Sequence, residues 1–403
     1  MMTALPHSAL RSLRVIGLAS VSLMTVPMMT SAGARAITPE AIESATFADW
    51  QARQGVEAPS GLDVEPAGPG EGAAPAPGVA DSGSETAEVV VTGEPSLVVE
   101  TPANTTDVPD ETGVQPLGGD ETPDPFLVRL QILLDRAHAS PGVIDGYLGE
   151  NTRKAIRAYE EMRGLAVDGE PDEEMWTLLA VDTGEAAKTY RITKDDLSDR
   201  YVERIPDDYE DMAEMEWLGF QGPAEMLAER FHMDEELLKA LNPNATFSAP
   251  GEDLLVASVA EPAETKVKRI TVDKGRGVVT AFDDKGAVVM SAPATVGSSD
   301  TPSPSGTVTV LGTAPDPTYH YKPDVNFTQG DNREPLTLPP GPNGPVGSMW
   351  IDLSEPTYGI HGTAHPALID KTQSHGCVRL TNWDARALAD LVLPNETTVE
   401  FLP

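Results

Sequence analysis

Cysteine is almost absent from this chain, because Cys377 is the only one among 403 residues. A disulfide within the chain is therefore excluded. No cysteine follows the apolar stretch near the N-terminus, which also excludes a lipid-modified N-terminal cysteine. A single cysteine is either a small buried hydrophobe or a reactive thiol, and the residues around it decide between the two.

Basic residues are also scarce: the chain has 28 Lys and Arg against 64 Asp and Glu, and its formal net charge is −36. A surface this acidic repels phosphate backbones and anionic lipid, so we expect no nucleic-acid partner. The length is too great for one hydrophobic core and predicts about two to four domains.

Aromatic residues are missing between positions 51 and 122, where Arg53 is the only basic residue. Such a segment can bury too little apolar surface to offset the entropy of ordering its backbone. We therefore assign residues 37–123 to a disordered linker rich in Pro, Gly, Ala and acidic residues.

Long apolar runs are confined to the N-terminus, where Arg11 and Arg14 precede an apolar stretch over residues 15–29. The small-x-small pattern Ala34-Arg35-Ala36 follows, as in a secretory signal. We expect residues 1–36 to be a cleaved signal peptide, leaving no stable membrane span; an uncleaved anchor is the alternative. Export to the periplasm is favoured over the cell wall, because a tether follows the signal.

Residues 124–180 show helical spacing of apolar residues, and two Asp-Gly turns, at Asp145-Gly146 and Asp168-Gly169, predict three short helices. Leu130-Gln131, Ile144 to Thr152 and Trp176 to Leu179 carry the pattern. The stretch resembles the peptidoglycan-binding domain type 1, although Glu160 stands where that family usually has Gln. The resemblance implies glycan-peptide binding.

Residues 188–260 predict a strand, two helices and a closing strand. This order is similar to the βααβ unit of LysM modules, which bind glycan. Residues 195–222 do not fit a standard module. A plain spacer or a docking domain is therefore the alternative.

Residues 266–403 change to a β pattern, with runs of β-branched residues between Gly, Asp and Pro turns. One helix is predicted after the capping box Thr381-Asn382-Trp383-Asp384. We expect a mostly antiparallel β-sandwich with one main helix. The whole chain is then a multidomain α+β protein.

Residues 358–380 place Cys377 close to His361, His365 and His375. Imidazole can activate a thiol as a base or a cation. The alternative is a zinc site, but His361 and His365 would need a helix to share a face, and Gly362 and Pro366 disfavour one. We therefore expect no metal and no cofactor, and two adjacent strand ends should bring His361 to Cys377.

His361-Gly362-Thr363 followed by Ser374 to Leu380, together with residues 338–350, resembles the catalytic domain of the YkuD-like L,D-transpeptidases, which cross-link peptidoglycan. Thr301 to Thr307 matches that family's TPxG segment with two extra residues. The resemblance implies a catalytic set of Cys377, His361, His375, Gly376 and Gly362, and a substrate-binding set of Arg379, Ser374, Thr363 and Tyr358.

The roles implied by this resemblance start with Cys377 attacking the carbonyl before the terminal D-alanine of a stem tetrapeptide. His361 takes the thiol proton, oriented by the Gly362 carbonyl, and His375 supports the thiolate. The backbone N–H groups of Gly376 and Cys377 are candidates for the oxyanion hole. Arg379 either pairs with a substrate carboxylate or locks the loop.

The expected function is thus a cysteine-dependent transpeptidase acting on peptidoglycan stem peptides and glycan. The acceptor is a second stem peptide or a lipoprotein amine. Two alternatives remain open: a peptidase or carboxypeptidase that passes the acyl group to water, and a wall-binding scaffold without catalysis.

Overall fold

The computed structural model describes residues 37–55, 122–297, 302–323, 327–372, 374 and 376–403. The predicted signal peptide, residues 56–121 of the predicted linker, Thr301 and His375 lie outside the described residues. Among the described residues, no helix has the length and apolar character needed to cross a membrane.

Two short helices, α1 (Pro39–Glu43) and α2 (Phe47–Arg53), open the described chain. The prediction of a disordered linker is wrong for residues 37–55. Threonine side chains at positions 38 and 46 cap the two helices. Ile42 and Phe47 are buried in the cores of two later modules, so tertiary contacts provide the burial that local composition does not.

Three helices, α3 (Pro125–Arg136), α4 (Glu150–Arg163) and α5 (Glu173–Leu179), form the next module, as predicted. Two buried polar side chains hold its turns. Gln131 Oε1 accepts a hydrogen bond from the Gly146 N–H at 2.8 Å. Glu160 Oε2 accepts from the N–H groups of Asp168 and Gly169 at 3.1 and 3.0 Å. A carboxylate therefore serves this turn in place of the usual Gln.

The second module contains β1 (Ala187–Arg191), α6 (Tyr209–Ala213), α7 (Pro223–Arg230), α8 (Glu235–Leu241) and β2 (Asp253–Ala257). Strands β1 and β2 pair antiparallel, and apart from α6, which lies within residues 195–222, the order of elements is βααβ. The likeness to LysM modules stays a prediction.

Within residues 195–222, which did not fit that pattern, the part over residues 205–218 packs on the third domain. Tyr209 makes edge contacts with Tyr319, Tyr321 and Phe327, with ring centroids 5.3 to 6.1 Å apart. The Leu218 N–H donates to Pro340 O at 2.9 Å, and the Asn343 N–H donates to Leu218 O at 3.0 Å. The segment is thus a docking element.

Among its described residues, the third domain contains one helix, α9 (Asn382–Leu391), and a 3-10 turn at Pro366–Leu368. Its strands are β3 (Arg269–Asp273), β4 (Val278–Phe282), β5 (Val288–Pro293), β6 (Gly306–Pro315), β7 (Tyr319–Tyr321), β8 (Leu336–Leu338), β9 (Met349–Leu353), β10 (Gly359–His361), β11 (Val378–Arg379) and β12 (Thr398–Leu402).

Eight of these strands form one sheet in the order β11-β10-β9-β6-β12-β3-β4-β5, and β7 pairs with β8. Strand β6 pairs with β9 on one side and β12 on the other, so it connects the β11-β10-β9 part of the sheet to the β12-β3-β4-β5 part. Its pairing with β9 has a register shift between Val310 and Gly312. Residues from both ends of the sheet, such as Ala292 and Val378, share one hydrophobic core with α9. The α+β fold class is confirmed, and the two layers of the predicted sandwich come from one curled sheet.

Candidate active site

Cys377 and His361 lie at the ends of neighbouring parallel strands. In the β10–β11 register, Ile360 faces Val378 and His361 faces Arg379. Ile360 and Val378 are fully buried in the core. Because side chains alternate along a strand, His361, Arg379 and Cys377 share the opposite face. The two strands are therefore neighbours, as predicted, but they are parallel: His361 ends β10, Cys377 precedes the start of β11, and the two residues share a face without lying at adjacent strand ends.

The His361 ring is held in one orientation. Its Nδ1 lies 2.6 Å from the Gly362 carbonyl oxygen. A carbonyl only accepts, so Nδ1 carries the hydrogen and Nε2 keeps its lone pair. The ring also stacks on Trp350, with centroids 5.6 Å apart. Burial and, to a lesser extent, the charge of Arg379 lower the pKa of His361 to about 3, against the hydrogen bond to the Gly362 backbone, which raises it.

Cys377 is also buried, with 4% of its surface exposed, and packs in a cluster with Trp350 and Leu218. Its Sγ lies 3.8 Å from the Thr357 carbonyl oxygen. Burial raises the pKa of the thiol to about 12, while a hydrogen bond from the Gly359 backbone and the charge of Arg379 lower it. The thiol and the imidazole are therefore both neutral in the free protein at pH 7.

The loop before Cys377 is fixed by Ser374. Its hydroxyl donates to the Cys377 carbonyl at 2.5 Å and accepts from the Gly376 N–H at 3.2 Å. Gly376 has a φ of 111°, which favours glycine. Because its N–H is already bonded to Ser374, the expectation that Gly376 serves the oxyanion hole does not fit this geometry.

Two of the predicted substrate-binding side chains contact the protein itself. Ser374 and Thr363 are each 4% exposed. Thr363 Oγ1 accepts from the His365 N–H at 3.2 Å. These contacts favour a role for both side chains in shaping the loop. Their direct contact with substrate stays a prediction.

Arg379 and Tyr358 remain at the site surface. The Arg379 backbone pairs with Thr295 at 2.9 and 3.0 Å. In the described part of the chain, its Nε is buried without a hydrogen-bond partner. Tyr358 is close enough to Cys377 for the thiol charge to raise the pKa of its phenol, although burial is the larger cause. Arg379 is thus available to a ligand, whereas the Tyr358 hydroxyl already donates to Pro302 O at 3.4 Å.

No cluster of three or more His, Cys, Asp or Glu side chains suited to a metal ion occurs among the residues that the structure describes. Sequence reasoning missed Trp350, which stacks on His361, and gave Asn382 only a place in the helix cap. Asn382 Oδ1 accepts from the N–H groups of Ser348 and Thr363 at 3.0 and 3.1 Å. Trp350 ends the matched stretch of residues 338–350, but that pattern assigns it no role, and no local pattern places Asn382 in the site.

The third domain is thus a curled sheet that places a cysteine and a histidine on one face of two neighbouring strands. Residues 267–400 match the family model described as "L,D-transpeptidase catalytic domain", of the YkuD type. Residues 124–179 match the model described as "Putative peptidoglycan binding domain". The two resemblances predicted from the sequence, to the L,D-transpeptidase catalytic domain and to the peptidoglycan-binding domain, are therefore confirmed for these two stretches of the chain.

Two relatives share the name "Putative L,D-transpeptidase YkuD". The Bacillus licheniformis protein is 29% identical over 181 residues, which cover 44% of this chain and 93% of that protein. The Bacillus subtilis protein is 52% identical over 58 residues, which cover 14% of this chain and 35% of that protein.

Two solved structures are more distant. L,D-transpeptidase 3 from Mycobacterium tuberculosis, with a faropenem-derived adduct, is 17% identical at a TM-score of 0.28, over 37% of this chain and 66% of that chain. The C442S mutant of the Enterococcus faecium L,D-transpeptidase is 21% identical at a TM-score of 0.26, over 41% and 62%. The match thus spans less than two thirds of each solved chain, and scores this low do not establish a shared fold.

Proposed function

We propose that this protein is an exported peptidoglycan L,D-transpeptidase in which Cys377 is the nucleophile and His361 the general base. The observation that carries the proposal is the shared face of β10 and β11, on which the thiol and the imidazole lie. The Gly362 carbonyl supports it, since it leaves Nε2 of His361 free to take a proton.

The first half-reaction cleaves the amide before the terminal D-alanine of a stem tetrapeptide. As Sγ attacks the carbonyl carbon, the thiol proton moves to His361 Nε2. The tetrahedral intermediate then collapses, the amide C–N bond breaks, and His361 returns the proton to the leaving D-alanine nitrogen. A thioester on Cys377 remains.

In the second half-reaction an acceptor amine attacks the thioester and gives its proton to His361. The C–S bond breaks, and the thiol regains that proton. The Cys377 N–H is the oxyanion donor that we retain. We assign Arg379 to a substrate carboxylate, because its Nε is buried without a partner in the described part of the chain. His375 keeps its proposed electrostatic role.

Incubation of the chain with disaccharide tetrapeptide, followed by mass spectrometry, tests this function. We expect an acyl adduct on Cys377, release of D-alanine and a cross-linked dimer, all abolished by Cys377→Ala. Tripeptide without dimer would mean hydrolysis and a carboxypeptidase. Turnover that persists in Cys377→Ala would contradict every covalent version, and binding without turnover would leave only the scaffold.

Export is part of the same proposal. It rests on the basic and apolar N-terminal pattern ending at Ala36. Fractionation of producing cells, with N-terminal sequencing, should give a periplasmic protein that begins at residue 37. A cytoplasmic protein with an intact N-terminus would overturn it.

A further inference from the structure

One peptide group beside the base is hydrogen-bonded at both ends. The Gly362 carbonyl accepts from His361 Nδ1 at 2.6 Å. The N–H of the same peptide, on Thr363, donates to Asn382 Oδ1 at 3.1 Å. The orientation of the His361 ring therefore depends on a peptide plane that Asn382 holds in place.

The Asn382 amide can adopt only one orientation. Its Oδ1 faces two backbone donors, the N–H groups of Thr363 and Ser348, so the other end must be the Nδ2 group. A Cβ at Gly347 or Gly362 would overlap Oδ1, which shows how closely both loops approach it. Nδ2 then meets two acceptors: Pro342 O at 3.2 Å, and the Glu229 carboxyl.

Glu229 comes from outside the catalytic domain, on α7 of the second module. Its two carboxyl oxygens lie 3.2 and 3.0 Å from Asn382 Nδ2. Glu225, one turn earlier on the same helix face, accepts from Asn343 Nδ2 at 2.7 Å. Helix α7 thus presents two carboxyl groups to two asparagines that border the active site.

We propose that Glu229 is a positioning residue for the active site: through Asn382 it holds the Gly362–Thr363 peptide, and that peptide orients His361. The second module is then a structural part of the catalytic site, and the relay runs from Glu229 to Asn382, to the peptide and to the imidazole. The kinetic side of this inference rests on the proposed function.

Kinetics of three variants of the full chain test the relay, with thermal unfolding to confirm folding. We expect Glu229→Ala to lower kcat about tenfold, in the range of a lost buried hydrogen bond, with KM changed less than about twofold. Glu229→Gln keeps an oxygen that accepts from Asn382 and should stay within about twofold of the parent in kcat. Glu236→Ala is the matched control, because this helical glutamate is exposed and pairs only with Lys239 among the described residues.

A second measurement does not depend on turnover. Hydrogen exchange of the Thr363 and Ser348 amides should quicken in Glu229→Ala and stay at the parent rate in Glu229→Gln and Glu236→Ala. This readout remains valid if the parent shows no transpeptidation, so failure of the proposed function is distinguishable from failure of the relay. Unchanged exchange in Glu229→Ala, or equal impairment of the Ala and Gln variants, would overturn the inference.

Discussion

At the scale of single residues, burial moves the pKa values of Cys377 and His361 in opposite directions. The thiol pKa rises to about 12 and the imidazole pKa falls to about 3, so both groups lose their charged form. A resting thiolate and imidazolium pair is therefore disfavoured. Proton transfer must accompany attack on the substrate, which is the general-base role that the orientation of His361 serves.

Alkylation of Cys377 by iodoacetamide measures this directly, because the chain has no other cysteine. The raised pKa leaves less thiolate at pH 7 than an ordinary thiol has, so reaction should be slow. We expect the alkylation rate of the folded protein to keep rising through about pH 10. In the urea-unfolded chain the rate should level off above the ordinary pKa of a cysteine thiol, about 8.5. A plateau below pH 8 in the folded protein would contradict the neutral pair.

At the scale of elements, helix α9 carries the site residue Asn382 at its first turn. The N-cap bond of the predicted capping box is present, since Thr381 Oγ1 accepts from the Asp384 N–H at 3.1 Å; the Asp384 carboxyl accepts, at Oδ2, from the Thr381 hydroxyl at 2.7 Å, and not from the Thr381 backbone N–H. Ser140 of the peptidoglycan-binding domain also donates to Oδ2, at 3.0 Å. The cap therefore joins two domains as well as starting a helix.

Burial raises the pKa of Asp384 from 3.8 to about 6; hydrogen bonds from Thr381 and Ser140 and the charge of His232 lower it, and the charge of Asp135 raises it. The neutral Asp384 carboxyl contributes to the free energy of unfolding. This contribution is fully present below the pKa of the carboxyl in the unfolded chain and is lost as the pH rises through its pKa in the folded protein. The full loss, complete only above about pH 7, amounts to about 3 kcal/mol.

The variant Asp384→Asn cannot ionise, so its free energy of unfolding should lack this loss. Urea unfolding of parent and variant at pH 4, 5, 6 and 7 measures the difference, in which the other titrating groups cancel. We expect the variant to gain on the parent steadily up to about pH 6. A gap that does not change with pH would show that Asp384 ionises normally in the fold.

Local signals explain which parts were predictable. The cap, the Asp-Gly turns and the motif around Cys377 each lie within a few residues, where spacing and residue type determine the geometry. Glu229 and Asn382, by contrast, are 153 residues apart in the sequence. From its local sequence, a glutamate on a short helix is predicted to be a solvated side chain. Ile42 and Phe47 likewise find their partners in later modules. Burial of this kind cannot be read from local composition.

At the scale of the whole molecule, both accessory modules contact the loops around the site. Asn151 Nδ2 of the peptidoglycan-binding domain donates to Ile369 O at 3.0 Å. Lys154, which is 7% exposed, forms an ion pair with Asp370 and donates to Gly277 O at 3.2 Å. The loop between His361 and Ser374 is thus held by one module and the Asn382 region by the other.

Contacts of this kind predict that the chain from residue 37 onward unfolds as one cooperative unit, with a calorimetric enthalpy close to the van't Hoff value. Lys154→Met keeps the apolar stem but leaves Asp370 unpaired, so we expect it to lower the free energy of unfolding by about 2 kcal/mol and shift the single transition downward. The control is Arg204→Met, because Arg204 and Asp207 form an exposed ion pair whose loss should cost little. Separate transitions in the parent, or equal midpoints for the two variants, would mean that the modules fold independently and that the site loops do not depend on them.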